Sequence, residues 1–379
     1  MAAERVVVSI TKHFETLTDP RIERTRWHDL IDVLVIALCG TICGCDSWED
    51  LPRYGRAKLD WLKTLLGLEN GIPSADTFAR VFQRLDPDEF LRCMSAWVES
   101  LRQHVDGEIV AFDGQTLCGS GDARKGMRPL HLVRAWATQN RLVLGQQACA
   151  EKSNEITAIP SLLKLLELSG AIVTIDAMGC QTEIAEQIRE RQADYVLAVK
   201  DNQPTLCTQV RKEFEHEMER GASGESPRFR EHVTRETRHG REEERSYYQL
   251  PAPKSLTTPG RWRDLRTIGM VIRRRMVKGA EAIEVHYYIS SLSLGVKRFA
   301  QAVRAHWSIE NSLHWMLDVN FAQDASRIRK AASPQIASML RQLALMLLQH
   351  DTQIKGSIRG KRKIAGWNND ALESLFTTK

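Results

Sequence analysis

Apolar side chains recur at helical intervals through the first hundred or so residues, and no run there alternates in the two-residue rhythm of a strand. Trp27 to Cys39 carries one such stripe; Leu59, Trp61, Leu62, Leu65, Leu66 and Leu68 carry the next. Gly71-Ile72-Pro73-Ser74 then reads as a turn, with Ser74 placed to cap the following helix. Phe78, Val81, Phe82 and Leu85 fall at i, i+3, i+4 and i+7 of that helix, leaving Arg80 and Arg84 on its outer face. Two helices across a tight glycine turn have the form of a helix-turn-helix, and an ordinary hairpin in a helical bundle has the same pattern. Residues 1–107 are expected to form an all-helical N-terminal domain.

From Glu108 the period changes. Ile109-Val110-Ala111-Phe112 is a short apolar run that stops at Asp113-Gly114, as a buried strand stops at a turn. His131–Thr138 and Arg141–Cys149 read as two more strands around the polar pair Gln139-Asn140. Ile159–Leu168 is helical, Gly170 ends it, and Ile172-Val173-Thr174-Ile175 is a second buried strand that stops at Asp176. A helix over Glu183–Gln192 and a strand over Tyr195–Val199 follow. Three strands, helix, strand, helix, strand is the order of the ribonuclease H-like fold, so the class is α/β. Between about 206 and 292 the order lapses into a charged helix, a heavily charged stretch from Arg228 to Arg245, and strand-like runs at Ser246–Leu250, Leu265–Arg274 and Glu284–Leu292. This is read as a β-rich insertion within a catalytic domain of residues 108–350, whose last helices are Gln301–Asp318 and Pro334–His350. Residues 351–379 are read as a basic C-terminal tail.

The net charge of +5 permits a polyanionic partner without requiring one. Where the cations sit says more. Lys200 with Asn202 follows the strand after Asp176, Arg273-Arg274-Arg275 lies in the insertion, Arg327, Arg329 and Lys330 follow the Gln301–Asp318 helix, and Lys355, Arg359, Lys361, Arg362 and Lys363 crowd the tail. Such runs can line a phosphate path, and each alone is also what a solvated face looks like. The apolar run Leu30–Cys45 falls short of the ~20 residues a membrane span needs and reads as a buried helix, so a cytoplasmic protein without membrane contact is expected. The eight cysteines contain no CxxC pair; Cys39, Cys43 and Cys45 lack a second zinc-ligand pair and suit a helix interior better.

Two carboxylates share one local context. Asp113 and Asp176 each follow a four-residue apolar strand and precede a small residue. Parallel strand ends gather at one sheet edge, where two aspartates can share a hard divalent cation, although strand-end aspartate also caps turns. His306, Glu310 and His314 lie at i, i+4 and i+8 on one helical face, beside a stripe of Trp307, Asn311 and Asp318. That face could deliver a third carboxylate to the crevice, form a His-Glu-His stripe suited to zinc or iron, or simply be an interface helix.

Across nearly its whole length the chain resembles the H-repeat-associated insertion-sequence transposases of the DDE superfamily. The resemblance rests on Asp19-Pro20-Arg21 with His28-Asp29-Leu30, Gly71-Ile72-Pro73-Ser74 with Asp76-Thr77-Phe78, and Phe112-Asp113-Gly114. It continues through Val173 to Gln181, Lys200 with Asn202-Gln203, Tyr287 to Leu292, and His306-Trp307 with Ile309-Glu310-Asn311 through Leu317-Asp318-Val319. It implies a ribonuclease H-like core behind a helical domain that contacts DNA, with Asp113, Asp176 and Glu310 as the acidic triad. Gln115 departs from the pattern where a lysine is expected after Asp-Gly, and Val303, His306 and Leu317 stand in place of a tyrosine, an arginine and a lysine that flank the glutamate in the related four-type group. Arg304 or His306 is then the substitute phosphate clamp.

Residues and resemblance together predict a bacterial, cytoplasmic, nucleoid-associated DNA transposase that cuts insertion-sequence ends and joins them to target DNA. Asp113, Asp176 and Glu310 are its expected catalytic and metal-binding residues, holding two Mg²⁺ ions with Mn²⁺ as a substitute. Arg80, Arg84, Lys200, Asn202, Arg304, His306, His314, Lys361, Arg362 and Lys363 are the candidate DNA contacts. The expected partners are double-stranded DNA and a second copy of the chain, as a dimer on DNA. The alternative is a silent DNA-binding relic or regulator of the same fold.

Overall fold

A computed structural model describes residues 8, 10–149, 155–238, 241–258, 260–277 and 280–376 of the 379-residue chain. The N-terminal region is helical throughout: α1 (Leu30–Cys43), α2 (Asp50–Ala57), α3 (Leu59–Leu62), α4 (Ala75–Arg84) and α5 (Pro87–Leu101). The apolar run read as a buried helix is α1, whose residues from Val33 to Ile42 are buried, and no helix among the described residues is long and apolar enough to cross a membrane. Ser74 caps α4 by accepting from the Thr77 amide at 3.1 Å, as its position before the helix predicts. Asp86 caps α5 in the same manner. The stripe from Leu59 to Leu68 does not form one helix: α3 ends at Leu62, and the chain turns through Gly67 to Leu68, which adopts φ +43°. Leu66 and Leu68 are buried from a turn instead.

The core of the second region is a sheet. β1 (Ile109–Leu117) pairs antiparallel with β2 (Leu130–Ala137), and β2 with β3 (Leu142–Ala148). β4 (Ile172–Ile175) runs parallel to β1 and β5 (Asp194–Val199) parallel to β4. Parallel neighbours need long crossovers, supplied here by α6 (Glu155–Leu165) and α7 (Thr182–Glu190). The order 3-2-1-4-5 with this polarity is the ribonuclease H-like core. After α8 (Pro204–Ala222), the expected β-rich insertion appears as β6 (Arg230–Arg238), β7 (Arg241–Pro251), α9 (Lys254–Thr257), β8 (Thr267–Val277) and β9 (Ala280–Ser290). It is not a separate layer. β9 pairs antiparallel with β5, so the meander extends the same sheet to nine strands. Most of the charged stretch lies in β6 and β7, where opposite charges meet across the strands: Arg235 on Glu244, Arg245 on Glu236, and Arg273 of β8 on Glu243.

The chain then forms α10 (Val296–His306), a π-helical turn (Glu310–His314), α11 (Trp315–Phe321), α12 (Ser333–His350), α13 (Ile358–Trp367) and α14 (Asn369–Ser374). α12 is the hub. Apolar and polar residues from Ser333 to Leu348 are all buried within it, except Gln335. It packs on α1, α4 and α5 and also on β3 and α11, so the helical region and the sheet share one hydrophobic core.

The C-terminal segment does not present a free basic run. Lys361 is buried and donates to the carbonyl of Leu348 at 3.0 Å and to Asp351 Oδ2 at 3.1 Å. Arg362 donates to the Thr41 and Ile42 carbonyls at the C-terminal end of α1, and its guanidinium lies 4.1 Å from the Phe321 ring centroid. Neither faces a phosphate, which corrects their assignment as DNA contacts. Lys363 alone of the three is exposed. Lys361→Ala and Arg362→Ala each strand buried partners, so each should lower unfolding stability by about 2–4 kcal/mol. Lys363→Ala should leave it within about 0.5 kcal/mol; denaturant unfolding of the three variants checks this contrast.

Candidate active site

The register of β1 against β4 sets Phe112 beside Ile175, so Asp113 lies level with Asp176, the first residue after β4; β1 itself does not stop at Asp113-Gly114 as expected but runs on to Leu117 against β2. Asp176 caps a short turn, its Oδ1 accepting from the amides of Met178 (3.0 Å) and Gly179 (3.4 Å). Glu310 comes from the helical side, at the first residue of the π-turn. π-turns are rare and widen the helix locally. All three carboxylates line one cavity of about 260 Å³ with Lys200, His306 and Trp307, walled by Ile175, Val196, Ala198, Val303 and Ile309.

Within that cavity one cluster is tighter than the rest. Carboxyl oxygens of Asp113 and Glu310 and a ring nitrogen of His314 all lie within 4.8 Å of one another. His314 Nδ1 is 3.6 Å from Asp113 Oδ2 and 3.7 Å from Glu310 Oε2, and its buried Nε2 has no hydrogen-bond partner among the described residues. Burial, then the neighbouring Glu310, Asp176 and Glu155 carboxylates, pushes Asp113 up to about 8. Burial and Glu155 raise Asp176 as well, against the turn amides and Lys200. Contact with His314 holds Glu310 below its usual range. Crowded, partly buried carboxyls of this kind are short of a cation, and their oxygen donors suit a hard divalent one.

Of the helical stripe, only part points inward. His314 joins the carboxylates, whereas His306 turns to Thr174, its Nδ1 3.1 Å from Oγ1, and burial pushes its ring down to about 4. No His-Glu-His stripe forms. Burial likewise lowers His314. Each ring is engaged inside the protein, His306 with Thr174 and the buried His314 beside Asp113 and Glu310. Asn202 serves the site from behind, donating to the Ala177 carbonyl at 2.5 Å and so holding the turn that Asp176 caps. Arg304 reaches Glu236 on β6 at 3.0 Å. Lys200 is exposed at the cavity, and Arg80 and Arg84 are exposed on α4.

Sequence reading missed two further groups. Glu155 opens α6 and bonds His131 at 2.8 Å. The pair packs against the backbone just beyond Asp113: a Cβ on Gly114 would meet Glu155 Oε1 at 2.0 Å and His131 Nε2 at 2.6 Å, so any larger residue there must displace the pair. Arg134, opposite Asp113 in the register and fully buried, was also unmarked. A strand-borne arginine in an apolar context gives no motif; only the pairing of β1 with β2 reveals it.

Residues 11–98 match the "DDE_Tnp_1-associated" family and residues 105–347 the "Transposase DDE domain" family. The chain is 38% identical over 376 residues to "Putative transposase YncI" of Escherichia coli O157:H7, covering 98% of this chain and 95% of that one. It is 36% identical over 372 residues to "H repeat-associated putative transposase YhhI" of Escherichia coli (strain K12), covering 97% of each. A cryo-EM structure of the piggyBac transposase synaptic complex with hairpin DNA aligns with a TM-score of 0.44 at 10% identity over 98% of this chain and 78% of that one, too loosely to carry an argument. With a DDE domain over most of its length and full-length relatives of this kind, the chain belongs to the DDE transposases of the H-repeat-associated type.

Proposed function

We propose that this protein cuts DNA at the ends of an insertion sequence and joins the freed 3′ ends to target DNA, with Asp113, Asp176 and Glu310 as the catalytic carboxylates. The observation that carries the reading is their convergence on one cavity from three distant segments of the chain. The same three would hold the divalent cofactor, Mg²⁺ with Mn²⁺ as a substitute. Bound there, the metal would neutralise phosphate charge and acidify the attacking water or 3′-hydroxyl.

The chain's own groups do the rest. Lys200 at the cavity is placed to meet a phosphate oxygen. Ile175, Val196, Ala198 and Val303 make the walls apolar, which strengthens every electrostatic contact inside. The buried His314 ring stands beside two carboxylates, 3.6 Å from Asp113 and 3.7 Å from Glu310, and closes that side of the carboxylate cluster to water. The exposed Arg80 and Arg84 mark α4 as the element that touches the terminal repeats, and Lys363 and Arg304 extend the basic surface. The acting form is a dimer bridging two ends in the cytoplasm, on the nucleoid.

Asp113→Asn, Asp176→Asn and Glu310→Gln should each abolish Mn²⁺-dependent cleavage of element-end DNA while binding of that DNA persists. Near-normal cutting by any of them removes that residue from the triad. Metal-free stability carries a second signature. Asp113 holds in the folded state a proton that an unfolded chain releases, so its contribution is full below about pH 4 and is lost as pH rises toward about 8. The metal-free protein should therefore melt at lower temperature at pH 8.5 than at pH 6, and Asp113→Asn should flatten that slope and raise the melting temperature at the alkaline end. Arg80→Ala and Arg84→Ala should weaken end binding and each reduce the slope of log K against log salt by about 1. A salt titration by fluorescence anisotropy reads this, and an unchanged slope moves the DNA path away from α4.

A further inference from the structure

Behind the carboxylates runs a polar chain, buried at Arg134 and Ser338 and half-buried at Gln115 and Asp318, that no step of the proposed reaction uses. Arg134 donates from Nη1 to Gln115 Oε1 at 2.6 Å and from Nη2 to Ser338 Oγ on α12 at 3.1 Å. Gln115 donates from Nε2 to Asp318 Oδ2 at 2.9 Å and accepts at Oε1 from Gln323 Nε2 at 3.1 Å. Asp318 lies on α11, further along the same helical rod as Glu310, and its Oδ1 accepts from the Asp324 amide at 3.2 Å. We infer that the Arg134–Gln115–Asp318 chain is the positioning device of the metal centre, fixing the Glu310 helix against β1 and with it the separation of Glu310 from Asp113. This rests on the reading of the triad as the metal site.

Three observations lead there. Asp113 and Gln115 are two residues apart on β1 and so share a face, and Glu310, His314 and Asp318 follow one another in four-residue steps on the helix. In a plain α-helix of 3.6 residues per turn each such step drifts by about 40°; the π-turn takes up the drift and keeps all three aimed at β1. Strand and helix therefore meet at two rungs. At the upper rung His314 stands 3.6 and 3.7 Å from the two carboxylates, too far to fix their spacing by hydrogen bonding. At the lower rung the bonds are short, and both ends are ionic: a buried guanidinium and a carboxylate. The lower rung is the rigid one.

The side chain at the middle must accept from an arginine and donate to an aspartate. Glutamine does both; a lysine could only donate and an ionised glutamate only accept. That explains why Gln115 stands where the family resemblance leads one to expect lysine. Arg134, with no exposed surface, needs an anion within reach, and Asp318 supplies it through the amide.

The test is a Mn²⁺ titration of the full chain without DNA, following free Mn²⁺ by electron paramagnetic resonance, for wild type, Gln115→Met and Asp318→Asn. Outer groups that orient ligands are worth about 10–100-fold in metal affinity. Both variants should weaken Mn²⁺ binding by about that factor, and cleavage of end DNA should need correspondingly more Mn²⁺ while recovering at saturation. Unchanged Mn²⁺ binding in the folded variants overturns the inference, as does a lower saturated rate with an unchanged metal requirement, which is the mark of a merely structural role. Should Gln115→Met not fold, normal Mn²⁺ binding by Asp318→Asn is enough to overturn it. A wild type that cuts and binds Mn²⁺ keeps the triad reading alive whatever the variants do; a wild type that binds none ends both.

Discussion

Carboxylates brought close together in a partly buried crevice repel, and at about 4 Å the repulsion is on the order of 4 kcal/mol for a pair in a medium of effective dielectric ~20. Asp113 and Glu310, with atoms within 4.8 Å, avoid that repulsion near neutral pH because Asp113 holds its proton, its carboxyl pushed up to about 8, and they meet it once both ionise. What brings them together is topological. Parallel pairing of β1 with β4 brings two aspartates to one edge whether or not they attract, and the turn amides of Met178 and Gly179 offset part of the cost at Asp176. On the helical side, cross-links to β1 do the corresponding work. The stability given up at Asp113 is the usual trade at a site built for a ligand rather than for its own rest.

The electrostatic design is layered. Innermost is the acidic cavity; around it stand imidazoles and apolar walls; beneath it lies a buried guanidinium, Arg134. A free cation among the carboxylates would compete with a metal ion for them. One buried a strand away, committed to Gln115 and Ser338, tempers the field without filling the position. Lys200, at the cavity, is exposed.

Much of this was legible in the chain itself, for physical reasons. Strands such as Ile172–Ile175 are buried on both faces, so they appear as unbroken apolar runs, and the aspartates that end them stand out. The helix of α4 was visible from its apolar spacing and its serine cap. What stayed hidden was whatever depends on pairing. β1 continues past Asp113 to Leu117 because β2 lies alongside it, although its later residues are mixed in polarity. β6 and β7 look like solvated charge until the cross-strand partners are known. Lys361 and Arg362 look like a phosphate-binding run, yet their heads reach carbonyls that only the packing of α13 on α1 supplies. Neither the π-turn nor the His131–Glu155 pair leaves any trace in spacing or composition.

α12 has a consequence that reaches beyond chemistry. It is packed both by helices encoded near the beginning of the gene and by a strand encoded in the middle. A copy that loses its opening codons would leave that helix with an uncovered apolar surface prone to aggregate, so such a lesion costs the fold of the sheet region as well as that of the helical one.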